Sequence, residues 1–432
     1  MTTNAYFRMG GNFSKGMTKG ACYRLPGVPI IPRYGSECDN YGELLIHKAY
    51  KADEIQYRAH LNFAFAADGS ETWESTEKGK DDLVVSYREA WLEAQGIFGG
   101  DSSLWVGKRF YDRWYMEMWD FFVLNHNGTG FGAENLDVGK GKVDVALLRH
   151  FINGTSDPLH VAGDVQWHDV EALGGKVQAR WIFSQKGSKG QNSATDDYYS
   201  ATGHFLTLNY QLPLGNMTYQ TFLQYGAGIH GARPDAGAGG QTGSTMSNFS
   251  STSFAKATAL SEESNKAWKK SSTFRWTHDL QLFPTSTVMS WDLGLSYTKA
   301  DFGGALGANG EKAPDRTTLA VGAHPTYYLS KIWAIDADIF YASIDKGLPL
   351  TPFNGVAPAS LDPIDRDLTK LTLGLVVRPG VGQYAKPQIR FYVTQADWND
   401  AQKGDSLITD GNAVYATNTA GTTWGVQGEV WW

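Results

Sequence analysis

The chain has 432 residues, 42% hydrophobic and 13% aromatic, with 49 glycines and a net charge of -7 spread along its length. The charge pattern offers no basic face and so excludes a nucleic-acid partner. No run of about 18 apolar residues exists to form a membrane-spanning helix. A chain this rich in glycine, aromatics and polar residues fits a barrel of strands that face lipid on one side and water on the other.

In chain order, the start Met1-Thr2-Thr3-Asn4-Ala5-Tyr6 lacks the basic and apolar regions of a secretory signal, so the expectation is a mature form. Cys22 and Cys38, the two cysteines, lie in a stretch rich in Gly, Pro and polar residues. A disulfide is expected, which requires an oxidising compartment. Closing a loop of that size stabilises by about 3 kcal/mol. Their spacing is not that of a metal site, and neither a metal nor a cofactor is expected.

Period-two segments follow. Tyr57, Ala59, Leu61, Phe63 and Phe65 alternate with Arg58, His60 and Asn62. From Leu159, the residues Val161, Gly163, Val165 and Trp167 alternate with Asp164, Gln166 and His168, and Val177 to Phe183 repeats the pattern around Gln178 and Arg180. Leu206, Leu208, Tyr210 and Leu212 alternate with Thr207, Asn209 and Gln211. Similar strands run from Met289 to Tyr297, Trp333 to Tyr341 and Ile389 to Thr394. Lys186 to Asp197 and Gly228 to Ser272 read as surface loops. Pro213-Leu214-Gly215-Asn216 and Tyr328-Leu329-Ser330-Lys331 read as tight turns. At the end, Trp424, Val426, Val430 and Trp432 share one face, while Gln427, Glu429 and Trp431 share the other.

A soluble sandwich hides such apolar faces in a core, whereas a membrane barrel turns them to lipid. The polar faces carry Arg, Asp, Gln, His and small residues, which suits a water-filled lumen. Trp167, Tyr210, Tyr297 and Trp333 suit the aromatic girdles of a membrane interface. One barrel over residues 1–432 is expected.

Several blocks then resemble a known family, the maltoporins and sucrose porins. They are Tyr6-Phe7-Arg8, Arg33 through Glu43 with its Cys38-Asp39-Asn40-Tyr41-Gly42-Glu43 core, Gly107-Lys108-Arg109-Phe110-Tyr111, Gly132 through Gly139, Pro387-Gln388-Ile389-Arg390 and Glu429-Val430-Trp431-Trp432. From about Leu148 to Leu368 the match is mainly strand pattern. The resemblance implies an all-β, antiparallel transmembrane barrel of about 18 strands, with a third loop folded inward as a constriction. It further implies a homotrimer in the outer membrane of a Gram-negative bacterium, in contact with outer-membrane lipid and lipopolysaccharide, that passes maltose, maltodextrins or related sugars by facilitated diffusion.

The resemblance also implies an aromatic path of Trp73 (given by a neighbouring subunit), Tyr41, Tyr6, Tyr384 and Trp431. Charged partners carried over by position are Arg8, Arg33, Glu43, Arg88, Arg113 and Asp120, which would hydrogen-bond sugar hydroxyls. A further family aromatic falls on Thr221, with Phe222 or Tyr225 as possible substitutes. The constriction departs from the family: Tyr115 replaces an aspartate, Glu117 a histidine and Phe122 a tyrosine, so altered sugar selectivity is expected.

The readings set against the sugar channel are a general diffusion porin without a sugar site, and a secreted glycan-binding protein or glycosidase using Glu134 and Asp137 as its carboxylates. The barrel pattern leaves no apolar core for the latter, so no enzyme activity is expected.

Overall fold

The computed structural model describes residues 1–28, 30–67, 75–76, 83–150, 160–187, 200–231, 268–282, 288–304, 311–347, 362–382 and 385–432. Trp73, Leu159 and Tyr384 lie outside them, as do residues 188–197 and 232–267 of the two segments expected as loops.

Eighteen strands form one closed antiparallel sheet. They are β1 (Thr2–Phe13), β2 (Asn40–Ala52), β3 (Ile55–Ala67), β4 (Leu83–Gln95), β5 (Ser103–Met116), β6 (Phe121–Asp137), β7 (Lys142–His150), β8 (His160–Ala172) and β9 (Gly175–Lys186). The second half comprises β10 (Ala201–Leu214), β11 (Met217–Gly228), β12 (Ser272–Leu282), β13 (Met289–Asp301), β14 (Arg316–Tyr328), β15 (Trp333–Gly347), β16 (Ile364–Val377), β17 (Gln388–Trp398) and β18 (Ala420–Trp431). Each strand pairs with its chain neighbours, and β18 closes on β1 through Tyr6↔Trp431 to Phe13↔Trp424. Closure leaves no unpaired outer edge to the sheet as a whole. Connections alternate between short turns, such as 53–54, 173–174 and 215–216, and longer segments such as 14–39 and 399–419. The turn expected at Pro213 to Asn216 is tighter than read: Pro213 and Leu214 stay in β10, and Gly215, at φ 63°, reverses the chain.

Strand alternation sorts the side chains to two faces. On β17, Ile389, Phe391 and Val393 are exposed on the outside, while Gln388, Arg390 and Thr394 are buried inside. The inner face is identified by what it touches: Arg390 lies 3.4 Å above the ring of Tyr34, which belongs to the 14–39 segment. The outer surface carries an apolar set that includes Leu206, Leu208, Trp276, Ile335 and Trp424. Such a band suits a hydrocarbon environment.

Among the described residues, three segments fill part of the lumen. The first is the hairpin of β5 and β6. β5 leaves β4 after Ala90↔Lys108, and β6 meets β7 only from Thr129↔Arg149 onward. Residues between those points ladder only with each other, up to Met116↔Phe121. Two register shifts, between Phe110 and Arg113 and between Trp114 and Tyr115, interrupt this ladder. Bulges of this kind bend a strand, and Asp112 at φ 57° sits in the first. The hairpin crosses the lumen to the far wall. There Trp114 packs on Phe222 of β11 at 4.9 Å, and Gln224 donates to the Val123 carbonyl at 2.8 Å. Trp119 is fully buried against β13 and β14. A Cβ added at Gly294 or Gly322 would come within 2.6 or 2.7 Å of its ring, so those strands can receive it only as glycine.

The second filler is the 14–39 segment, closed by the Cys22–Cys38 disulfide with Cα atoms 6.1 Å apart. Lys370 of β16 donates to the carbonyls of Pro32, at 2.9 Å, and of Tyr34, and Thr372 adds a bond to Tyr34 at 3.0 Å. The third is 399–419, joined to the second where Asn412 donates to the Lys19 carbonyl at 2.6 Å, and tied to the wall by the Arg366–Asp405 ion pair. Together they build an apolar cluster inside the barrel, with Tyr23, Leu25, Trp119, Phe121, Ile408 and Tyr415 packed on the wall. Many of these apolar residues lie in segments without period two, so alternation does not display them.

Strand parity separates the three positions considered for the further family aromatic. Phe222 of β11 faces inward but is buried beneath Trp114, while Tyr225 is exposed on the outer face. Thr221 accepts from the indole of the outward Trp276 at 3.1 Å. Neither Thr221 nor Tyr225 can therefore line the lumen.

Truncation of the hairpin anchor, Trp119→Ala, is expected to cost about 3–5 kcal/mol in denaturant unfolding of the detergent-solubilised protein. It is also expected to raise single-channel conductance, because the tip loses its seat on β13 and β14.

Candidate functional site

β18, β1 and β2 are adjacent, with Tyr6 opposite Trp431 and Arg8 opposite Tyr41. Parity puts Tyr6, Tyr41 and Trp431 on the lumen face, whereas Phe7 points outward against Phe65 and Trp432. The Tyr6 ring lies 6.1 Å from Tyr41 and 6.4 Å from Trp431, making a continuous aromatic strip across three strands. Trp431 is 43% exposed, so its face is open to the lumen.

Charged groups run beside the strip. Arg33, from the 14–39 segment, is buried and ion-paired to Glu37 (2.8 Å), Glu117 and Glu429, and it donates to the Tyr6 hydroxyl at 3.0 Å. Tyr6 in turn donates to Glu429 at 3.0 Å. Arg8 pairs with Glu37 and Asp39, each at 2.8 Å, and approaches Asp120 at 3.8 Å. Its guanidinium carbon lies 5.3 Å from the Tyr41 ring centre. Tyr41 donates to Glu43, which accepts from Asn62 at 2.9 Å. Lys386, in the connection between β16 and β17, lies 2.6 Å from Glu429 and 5.0 Å from the Trp431 ring. Burial pushes the Lys386 amine down to about 7 against the pull of Glu429.

The inward hairpin brings its own groups to this strip. Tyr115 donates to Asp120 at 2.8 Å, and its ring lies 4.8 Å from Phe122. Arg113 is clamped between Phe110 and Phe122, 3.9 and 4.0 Å from their centres, and its Nε donates to Asn125 at 3.0 Å. Arg88 stacks on Phe110 at 4.9 Å. Phe122 thus spends its ring face holding a guanidinium, a contact that needs no hydroxyl. Glu117, paired with Arg33, ties the hairpin to the strip.

Tyr6, Tyr41, Trp431, Arg8, Arg33, Glu43, Glu117, Asp120 and Tyr115 therefore converge on one side of the lumen. Arg88, Arg113 and Phe122 sit together on the hairpin side. Trp73 and Tyr384 are outside the described residues. Sequence reading leaves out Glu37, Lys386, Asn62 and Phe110. Glu37 adjoins the Cys38 block and Glu429 shares the parity of Trp431, which were usable signals. Nothing local marks Lys386, which arrives from a turn.

Glu134 is bound to Arg109 at 2.9 Å, and Asp137 accepts from the Gly139 N–H at 2.7 Å, so the two carboxylates have separate structural partners. Among the described residues, no three His, Cys, Asp or Glu side chains converge to hold a metal ion. The strip offers flat faces flanked by ionised donors and acceptors, each a weak contact to a polar ring, which is the chemistry of passage rather than capture.

Removing Arg33 leaves three carboxylates close together with only Arg8 on Glu37 and Lys386 on Glu429 to offset them, so Arg33→Met is expected to destabilise by about 3 kcal/mol. Arg88→Met, which loses a stacking contact, is expected to cost about 1 kcal/mol. Comparing denaturant midpoints of the two variants checks the ranking.

Solved structures align with the chain over its length at low identity. OpdK of Pseudomonas aeruginosa, solved with vanillate, is 10% identical, with 100% of this chain and 98% of that one covered and a TM-score of 0.47. OccAB1 of Acinetobacter baumannii is 10% identical, covering 100% and 96%, at 0.48. OmpT of Vibrio cholerae, in its trimer form, is 12% identical, covering 100% and 98%, at 0.41. The family model described as LamB porin matches residues 1–432. The chain thus belongs to the LamB porin family, that of maltoporins and sucrose porins, and is an outer-membrane channel of a Gram-negative bacterium.

Proposed function

We propose that the channel conducts sugars by facilitated diffusion, with Tyr6, Tyr41 and Trp431 as its path and Arg8, Glu43 and Asp120 as hydrogen-bonding flanks. Arg33, buried among Glu37, Glu117 and Glu429, positions the strip instead of touching the sugar. The supporting observation is the unbroken strip of three rings, 6.1 and 6.4 Å apart, with ion-paired groups beside it. A sugar presents a weakly apolar C–H face and an equatorial edge of hydroxyls, and the strip matches both. Several shallow contacts in series let the sugar enter and leave. Maltose, maltodextrins and related oligosaccharides are the substrate class, and the Phe110–Arg113–Phe122 clamp is where selectivity departs from the family. In this reading the working unit is a homotrimer embedded in outer-membrane lipid and lipopolysaccharide, with Trp73 and Tyr384 extending the path at its two ends.

A general diffusion porin would share the barrel but not depend on the rings. In planar bilayers, maltotriose is expected to interrupt the current of the unmodified protein. Tyr41→Ala or Trp431→Ala is expected to weaken that block about tenfold, a loss of about 1.4 kcal/mol. Block unchanged in both variants, or absent in the unmodified protein, would overturn the sugar path.

A further inference from the structure

His47 of β2 and His60 of β3 lie directly opposite each other in the β2–β3 register. Both share the lumen face with Glu43 and Asn62, further toward the 53–54 turn than Tyr41. Directly opposed cross-strand side chains on one face hold their Cβ atoms about 5 Å apart, which lets two imidazoles converge. Here the Nδ1 atoms are 3.1 Å apart.

The other nitrogen of His60 is already committed. Its Nε2 lies 3.2 Å from Glu89 Oε2, and a carboxylate accepts there, so Nε2 carries the proton and Nδ1 presents its lone pair toward His47. Glu89 is itself held: the Phe110 N–H donates to it at 2.9 Å and Asn62 at 3.3 Å. The His60 ring also stacks on Trp91, with centres 4.8 Å apart and planes 12° from parallel. A carboxylate behind a histidine orients that ring as a metal ligand.

An ion at the usual 2.0–2.1 Å from both Nδ1 atoms, themselves 3.1 Å apart, would see them at about 100°, close to tetrahedral. Water of the lumen would complete the coordination. We propose that His47 and His60 form an open, two-ligand site for a divalent transition metal ion on the lumen wall, with Glu89 as its positioning residue. Imidazole favours Zn2+, Ni2+ or Cu2+ over Mg2+ or Ca2+. The site is independent of the sugar path, although Asn62, bonded to both Glu43 and Glu89, places the two next to each other.

Titration calorimetry with ZnCl2 on the full chain in detergent, purified without a polyhistidine tag, tests the site. Saturable binding of one Zn2+ per chain is expected, with none for MgCl2. His47→Gln is expected to abolish it, and Glu89→Gln to weaken it about tenfold. With Cu2+ in place of Zn2+, electron paramagnetic resonance of the unmodified protein is expected to show two imidazole nitrogens, and His60→Gln one. Zn2+ binding equal in His47→Gln and the unmodified protein, or no saturable binding by the unmodified protein, overturns the proposal.

Discussion

The Arg33 guanidinium brings three parts of the lumen to one point. It reaches Glu37 within its own segment, Glu117 at the tip of the inward hairpin and Glu429 on the last wall strand, and it touches the Tyr6 hydroxyl as well. Two carboxylates or two guanidiniums could not do this, because like charges brought together in a buried site repel. One permanently charged planar donor reaches all three carboxylates, with Arg8 sharing Glu37 and Lys386 sharing Glu429. Together with the seat of Trp119 on β13 and β14, this contact sets the position of the hairpin relative to the aromatic strip.

The rest of the lumen divides between filling and openness. On the side of β11 to β17, the hairpin tip and the 14–39 and 399–419 segments pack an apolar cluster against the wall, which fixes them as a rigid plug. On the side of β18, β1 and β2, Trp431 is exposed while Tyr6 and Tyr41 are half-buried. A barrel of this strand number is wide enough to pass large solutes if empty. Apolar packing fills one side and leaves the aromatic strip on the other. The disulfide and the Lys370 bonds to the Pro32 and Tyr34 carbonyls hold the 14–39 segment in this arrangement.

The wall is legible in the sequence because its physical rule has period two: Ile389, Phe391 and Val393 against Arg390 and Thr394 can be sorted to faces by counting. The lumen-facing parity of Tyr41 and Trp431 is legible for the same reason. The contents of the barrel are not. The hairpin from Arg109 to Gly128 keeps strand-like residues while leaving the wall, and its departure depends on bulges and on positive φ at Asp112 and Asp120, which alternation cannot register. The 14–39 segment looks like a polar loop, yet Tyr23, Leu25 and Ile30 are buried in it. Alignment to the family places an aromatic on Thr221, but the β10–β11 register turns that side chain outward and puts Phe222 beneath Trp114 instead. Long-range partners decide each of these, and a local pattern does not contain them.

The account rests on the claim that a sugar lies flat on the Tyr6–Tyr41–Trp431 strip. A structure of the protein with a bound maltooligosaccharide, by crystallography or cryo-electron microscopy, examines this directly. Successive sugar rings stacked on these three side chains, with hydroxyls bonded to Arg8 or Glu43, are the result expected. Sugar ordered elsewhere in the lumen, with the three rings bare at saturating concentration, would contradict it.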